Sequence, residues 1–201
     1  MEIKQNTKDR ILEEAINLFS IKGYDGVSIR DISKAVGIKE SSIYNHFSSK
    51  EEILDTIINN FITAVGNTIF DIHSISSLIE GRKLREVLEC LSLEFNKKIT
   101  SQIYKSWKII YMEQFKNKSA RDFVLNEIMK RTRIFYKALF KEMQEKALLK
   151  DTNAEMLGEL CHYSFLMLSW ERMLVTADSG DTNEIDKSRK AILDYLCNYK
   201  E

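Results

Sequence analysis

The chain has 201 residues with no proline and only seven glycines, where average usage gives roughly ten and about fourteen. That excludes barrels and sandwiches built on Gly/Pro turns, collagen-like repeats and Pro/Gly-rich disorder, and leaves long helices. Thirty Lys+Arg balance thirty Asp+Glu, so the net charge announces no nucleic acid, membrane or acidic partner, and any such partner must be read locally. A hydrophobic content of 44% supports one sizeable core. Cys90, Cys161 and Cys197 lack CxxC spacing and read as reduced thiols. The first ten residues carry five charges, so no signal peptide is expected. The longest uncharged run, 56–70, is too short and too polar for a membrane span, and a cytoplasmic protein is expected.

The first predicted helix puts Ile11, Ala15, Ile16, Leu18 and Phe19 on one face, with Thr7 as N-cap and an end at Gly23. Ser28 followed by Asp31 has capping-box spacing, opening a second helix over 28–35 that Gly37 terminates with a left-handed turn. A third, over 40–46, turns Ile43 and Phe47 inward and leaves Ser41, Ser42, Tyr44, Asn45 and His46 as polar tips. Ser49 and Glu52 form another capping-box pair, starting a fourth helix at Lys50 that Gly66 either bends or ends. Breaks follow near 73–81, 116–119, 150–153 and 178–183, separating long helical segments.

Two short helices joined at a glycine and packed on a third make a helix-turn-helix, whose second member fits a DNA major groove. Residues 1–60 are slightly acidic. The stretch 22–50 is locally basic, with Lys22, Arg30, Lys34, Lys39 and Lys50 against Asp25, Asp31 and Glu40.

In spacing and residue type, the stretch from Thr7 to Leu54 resembles the N-terminal DNA-binding domain of TetR-type bacterial transcriptional regulators. The shared features are the Ile11/Ala15/Phe19 face, Gly23-Tyr24, Ser28 before Arg30-Asp31-Ile32, Ala35, Gly37-Ile38, Ile43-Tyr44, His46-Phe47 and Lys50-Glu51. The departures are Lys39 where the family usually has a capping Ser, Ser41 for the usual Gly or Pro, and Val36 for a small Ala. The resemblance implies an all-α fold, with a three-helix helix-turn-helix domain over 1–50 and a larger helical bundle over 51–201 for ligand binding and dimerisation. It implies contacts to a double-stranded operator from Ser28, Arg30, Lys39, Glu40, Ser41, Ser42, Tyr44, Asn45, His46 and Lys50.

In the body, Tyr104, Trp107, Tyr111 and Phe115 recur at helical spacing. Such a stripe is commonly core; the resemblance raises the alternative of a small-molecule effector cavity, whose walls Phe95, Tyr136, Phe140, His162 and Phe165 would complete. Residues 154–176 are apolar almost all round and read as a helix buried on every side, central in a monomer or covered by a symmetric partner. The resemblance favours a homodimer through the last two helices, with Ile185, Ile192, Leu196 and Tyr199 joining the interface. The basic run Lys130, Arg131, Arg133, Lys137, Lys141 is interleaved with Glu127, Glu142 and Glu145 and reads as a solvated face.

Glu159 and His162 have the Glu-x-x-His spacing of helical di-iron sites, but a second such motif is absent and no hydrolase, kinase or dinucleotide motif occurs. No enzyme, metal or cofactor is expected. The expectation is a ligand-responsive repressor released from a palindromic operator by a small-molecule effector. The alternative is a constitutive DNA-binding member that acts through a protein partner.

Overall fold

The computed structural model describes residues 6–65, 71–98, 100–149, 153–177 and 179–198, and among them every regular element is a helix. In chain order these are α1 (Thr7–Lys22), α2 (Ile29–Val36), α3 (Glu40–Tyr44), α4 (Lys50–Val65) and a 3-10 turn (Ile72–Ser74) leading into α5 (Ile75–Ile79). Then come α6 (Leu84–Lys98), α7 (Ser101–Glu113) and α8 (Lys118–Phe123). A π-helical stretch (Val124–Arg131) runs on into α9 (Thr132–Glu145), and α10 (Ala154–Ala177) and α11 (Asn183–Asn198) complete the chain. Two compact units result, one from residues 1–67 and 97–126, the other from 68–96 and 127–201. The packing therefore does not divide at residue 50, because α4, α7 and α8 share a unit with α1–α3.

In the first unit α1 buries Ile11, Leu12, Ala15 and Phe19. Its N-cap is Asn6, not Thr7: the Asn6 carboxamide oxygen accepts the Asp9 N–H at 2.8 Å, and Thr7 is already helical. Gly23 (φ 71°) ends the helix, and Gly37 supplies the left-handed turn after α2. The Ser28–Asp31 box is reciprocal: Ser28 Oγ accepts the Asp31 N–H and the Asp31 carboxylate accepts the Ser28 N–H at 2.9 Å. At α4 the reciprocity slips by one residue. Ser49 Oγ accepts the Glu52 N–H at 3.1 Å, while the Glu52 carboxylate takes the N–H and hydroxyl of Ser48. Gly66 lies outside the described residues. Farther along α4, Phe61 is buried between Phe123 of α8, 5.4 Å away edge-on, and Trp107 of α7 at 6.0 Å.

The second unit closes on Phe135, Leu139, Phe140 and Met143 of α9, with Leu157 and Cys161 of α10, Val87 and Leu91 of α6, and Leu193 and Leu196 of α11. The α5 turn, in a region whose sequence reads as a break, adds Ile75 and Ile79. Five residues are too few for a periodic signal, and tertiary burial of that i, i+4 pair holds the turn in place. α9 and α10 run antiparallel: Lys137 pairs with Glu155 at 3.1 Å, Arg133 donates to the Tyr163 hydroxyl at 3.0 Å, and Thr132 meets His162 at 3.0 Å. The pairs Arg131–Glu127 and Lys137–Glu155 make the basic run an ion-paired helix face.

α10 is not buried on every side. Leu157, Gly158, Cys161, His162 and Met173 are covered, whereas Met156, Leu160, Tyr163, Met167 and Leu174 form an exposed stripe at i, i+4, i+7, i+11 and i+18. α11 contributes less to that surface than its sequence suggests. Ile185 and Leu196 are buried, Leu196 belongs to the core of its own unit with Ile192 packed on it, and Tyr195 is exposed. Tyr199 lies outside the described residues.

At Gly158 an added Cβ would stand 2.6 Å from the Tyr136 carbonyl oxygen and 2.8 Å from Lys137 Cα. Backbone cannot yield as a side-chain tip can, so Gly158→Ala should force α9 and α10 apart and cost about 1–3 kcal/mol. A melting temperature unchanged in thermal denaturation would show that this contact does not set the helix spacing.

Candidate nucleic-acid interface

α3 spans only five residues, and its N-cap Lys39 offers no side-chain acceptor. Its position rests on what its flanks bury: Ile43 and Phe47 are inaccessible to solvent, as their spacing predicts. This turns Lys39, Glu40, Ser41, Tyr44 and Asn45 outward, with Ser42 and His46 half-buried beside them. Tyr44, 55% exposed, is the one large aromatic on this face. The Arg30 and Lys39 side chains are exposed and reach no hydrogen-bond or ion-pair partner among the described residues. The Ser28 hydroxyl is less available, because it donates to the Asp31 carboxylate at 2.6 Å while accepting the Asp31 N–H. Those Ser28 hydrogen bonds hold the Asp31 carboxyl below the usual carboxylate range.

Lys50 occupies a different place from a free phosphate contact. Its ammonium donates to the carbonyls of Tyr24 at 2.9 Å and Val27 at 2.8 Å, and it lies 4.0 Å from the Tyr24 ring centre. It therefore ties the turn between α1 and α2 to the start of α4. The same turn is also held by the end of α7 and the residues after it: Glu113, 6% exposed, accepts the Tyr24 N–H at 3.3 Å, and Lys116 pairs with Asp25 at 2.6 Å. The Lys116 hydrogen bond lowers the Asp25 carboxyl, and burial, followed by Glu51 and other nearby carboxylates, pushes the Tyr24 phenol up. On α1, Arg10 donates to the Val36 carbonyl at 2.5 Å and so caps the C-terminus of α2. Arg10 and Glu113 escape sequence reasoning, since their partners lie 26 and 89 residues away.

The body residues fall into two groups. In the first unit Tyr104, Trp107 and Tyr111 are half-buried, and the Trp107 and Tyr111 rings stack at 6.0 Å. Phe115 is 83% exposed. It follows the end of α7 and walls nothing, which corrects its reading as part of the aromatic stripe. In the second unit Phe140 is fully buried core, Phe95 packs on that core, and Tyr136, His162 and Phe165 come together with ring centres 6.3 and 6.5 Å from Tyr136. Glu159 and His162 do not converge as a metal pair. The Glu159 carboxylate faces Arg133 and Lys137, and His162 Nδ1 faces Thr132.

A short outward-facing helix set on a braced corner, among described residues whose regular elements are all helices, has the arrangement of the helix-turn-helix class. Residues 11–57 match the family described as "Bacterial regulatory proteins, tetR family", so this segment is similar to the DNA-binding domain of TetR-type regulators. Among curated relatives, the biofilm operon icaADBC negative transcriptional regulator IcaR of Staphylococcus epidermidis is 44% identical over 77 residues, 36% of this chain and 42% of that protein. IcaR of Staphylococcus aureus strain Newman is 45% identical over 62 residues, 31% of this chain and 33% of that protein. These matches span less than half the length of those relatives. Among solved structures, the TetR-family regulator PfmR of Thermus thermophilus superposes with a TM-score of 0.63 at 22% identity, covering 96% of each chain. The ketosteroid regulator KstR2 of Mycobacterium tuberculosis gives 0.66 at 18% identity, covering 98% of this chain and 96% of that one. At such identities the likeness is one of fold.

Because two Lys50 N–H groups are spent on carbonyls, Lys50→Ala should lower the melting temperature and weaken operator binding without changing its salt dependence. A phosphate contact would instead flatten the slope of log K against log salt by about one on removal.

Proposed function

We propose that this protein is a homodimeric, effector-responsive repressor whose two α3 helices read successive major grooves of a palindromic operator. The observation that carries the reading is the outward face of α3, with Tyr44 exposed at its centre and Ile43 and Phe47 locked beneath it. Arg30 and Lys39, exposed and without partners among the described residues, supply the local positive charge for phosphate. The IcaR relatives, 44% identical to this chain over 77 residues in the Staphylococcus epidermidis protein, are negative transcriptional regulators, which supports repression here.

A dimer supplies the half-site spacing, since two recognition helices must stand about 34–36 Å apart, one turn of B-DNA. The α10 stripe of Met156, Leu160, Tyr163, Met167 and Leu174 supports a second copy as its cover, because a symmetric helix pair buries the same stripe on both sides. An effector that changed the separation of the two α3 helices would break the match to the operator. Moving the dimer from about 99% to about 1% competent requires a preference of roughly 10⁴-fold for the released state.

Tyr44→Ala should weaken operator binding by about tenfold or more in a fluorescence-anisotropy titration, and wild-type affinity should fall steeply with salt. A flat salt plot would refute the DNA reading. Leu160→Glu with Met167→Glu should give a monomer by light scattering at micromolar concentration and abolish operator binding with it. A persistent dimer would place the interface elsewhere.

A further inference from the structure

His162 is 2% exposed, and its two ring nitrogens have unequal surroundings. Nδ1 lies 3.0 Å from the Thr132 hydroxyl oxygen. That hydroxyl already donates its proton to the Ile128 carbonyl one turn back, so toward the imidazole it can only accept. The proton of neutral His162 is thereby fixed on Nδ1, and Nε2 is left as a lone-pair acceptor. Nε2 is buried and has no hydrogen-bond partner among the described residues. A buried acceptor without a donor is costly, and native proteins keep few of them.

The surroundings say what would satisfy it. Burial lowers the imidazole's proton affinity and Arg133 lowers it further, against a smaller opposing effect of Glu159, so the ring is neutral near pH 7. A neutral ring gives an anion no charge to pair with; it accepts from an O–H or N–H. The neighbours of the His162 ring are aromatic: Tyr163 at 4.9 Å, Tyr136 at 6.3 Å and, 6.5 Å from Tyr136, Phe165, itself under the Arg189 guanidinium. Burial also falls off at this point of the α9–α10 pair. On one side Tyr136, Leu139, Phe140, Leu157, Gly158 and Cys161 are buried; a turn past His162, Ile128, Phe165 and Leu166 are only half-buried. Ile128 belongs to the π-helical stretch, a wide turn of the kind that recurs at functional sites.

We propose that His162 is the polar anchor of the effector site, and that the site takes a neutral, largely apolar molecule carrying a hydroxyl group whose O–H donates to Nε2. Thr132 is the positioning residue that presents the acceptor nitrogen, and Tyr136 and Phe165 form the apolar walls. The proposal rests on the effector-responsive reading above and adds the chemistry of the ligand.

The test uses the full chain with phenol and toluene, which differ by hydroxyl against methyl on one ring. Phenol should bind about three- to tenfold more tightly than toluene, the effect of one net hydrogen bond. In long-range ¹H–¹⁵N spectra it should shift the Nε2 resonance of His162 and leave Nδ1 in place. His162→Phe should erase the preference for phenol while retaining toluene binding, and His162→Gln, which keeps an acceptor, should restore part of it. Equal affinities, an unmoved Nε2 resonance, or a preference surviving in His162→Phe would each overturn the proposal. If His162→Phe does not fold, the wild-type Nε2 shift decides alone. Operator anisotropy with phenol present separates the two readings: Nε2 engagement without operator release supports the His162 site and overturns its role as a switch.

Discussion

A helix of five residues cannot hold itself in water, since the first hydrogen-bonded turn orders more backbone than it repays. Everything α3 does therefore depends on the frame around it. The frame's tightest point is the turn between α1 and α2, where Lys50 takes two carbonyls, Glu113 takes an N–H, and Phe19 meets the Tyr24 ring edge-on at 5.4 Å. Arg10 closes the far end of α2 in the same manner. Polar atoms that a turn would otherwise leave to water are thus bonded to side chains from α1, α4 and α7. The direction in which Tyr44 points is set by residues that lie outside α3.

The second unit solves a different problem, the spacing of two long helices. Gly158 lets the backbones of α9 and α10 approach closely at Tyr136, and ion pairs from Arg133 and Lys137 run along the rim. One turn along, where α10 carries His162 on the same side, the helices meet through a polar contact, His162 Nδ1 against the Thr132 hydroxyl at 3.0 Å. Close contact and enclosed polarity sit side by side on one helix pair, which makes the geometry at His162 sensitive to the separation that Gly158 fixes.

Much of the fold is legible in the sequence because its signals are local. Ser28 and Asp31 are three residues apart, Gly37 needs no neighbour to adopt a left-handed turn, and Ile43 and Phe47 declare themselves core by spacing. Signals fail where two candidates compete locally, as Asn6 and Thr7 do for the α1 cap, or where burial alone stabilises a short element, as at α5. Contacts that act across the chain leave no local trace. Lys50 is recognisable as important, but its two carbonyl partners are 23 and 26 residues away, and only the fold shows that it braces the corner. The apolar face of α10 is visible as a pattern; which side of the helix stays open requires α9 and α11 to be in place.

The first unit is assembled from two separated stretches of chain, residues 1–67 and 97–126. Its aromatic contacts between Phe61, Trp107 and Phe123, and the grip of Glu113 on Tyr24, join residues made early in synthesis to residues made much later. A ribosome releasing this chain from the N-terminus exposes α1–α4 well before α7 exists, so the corner that carries α3 stays unbraced until more than half of these residues have emerged. The segment that identifies the family is therefore not a detachable cassette. A graft carrying only the first fifty residues would transfer the outward-facing side chains of α3 and leave behind the α7 grip that fixes the corner beneath them.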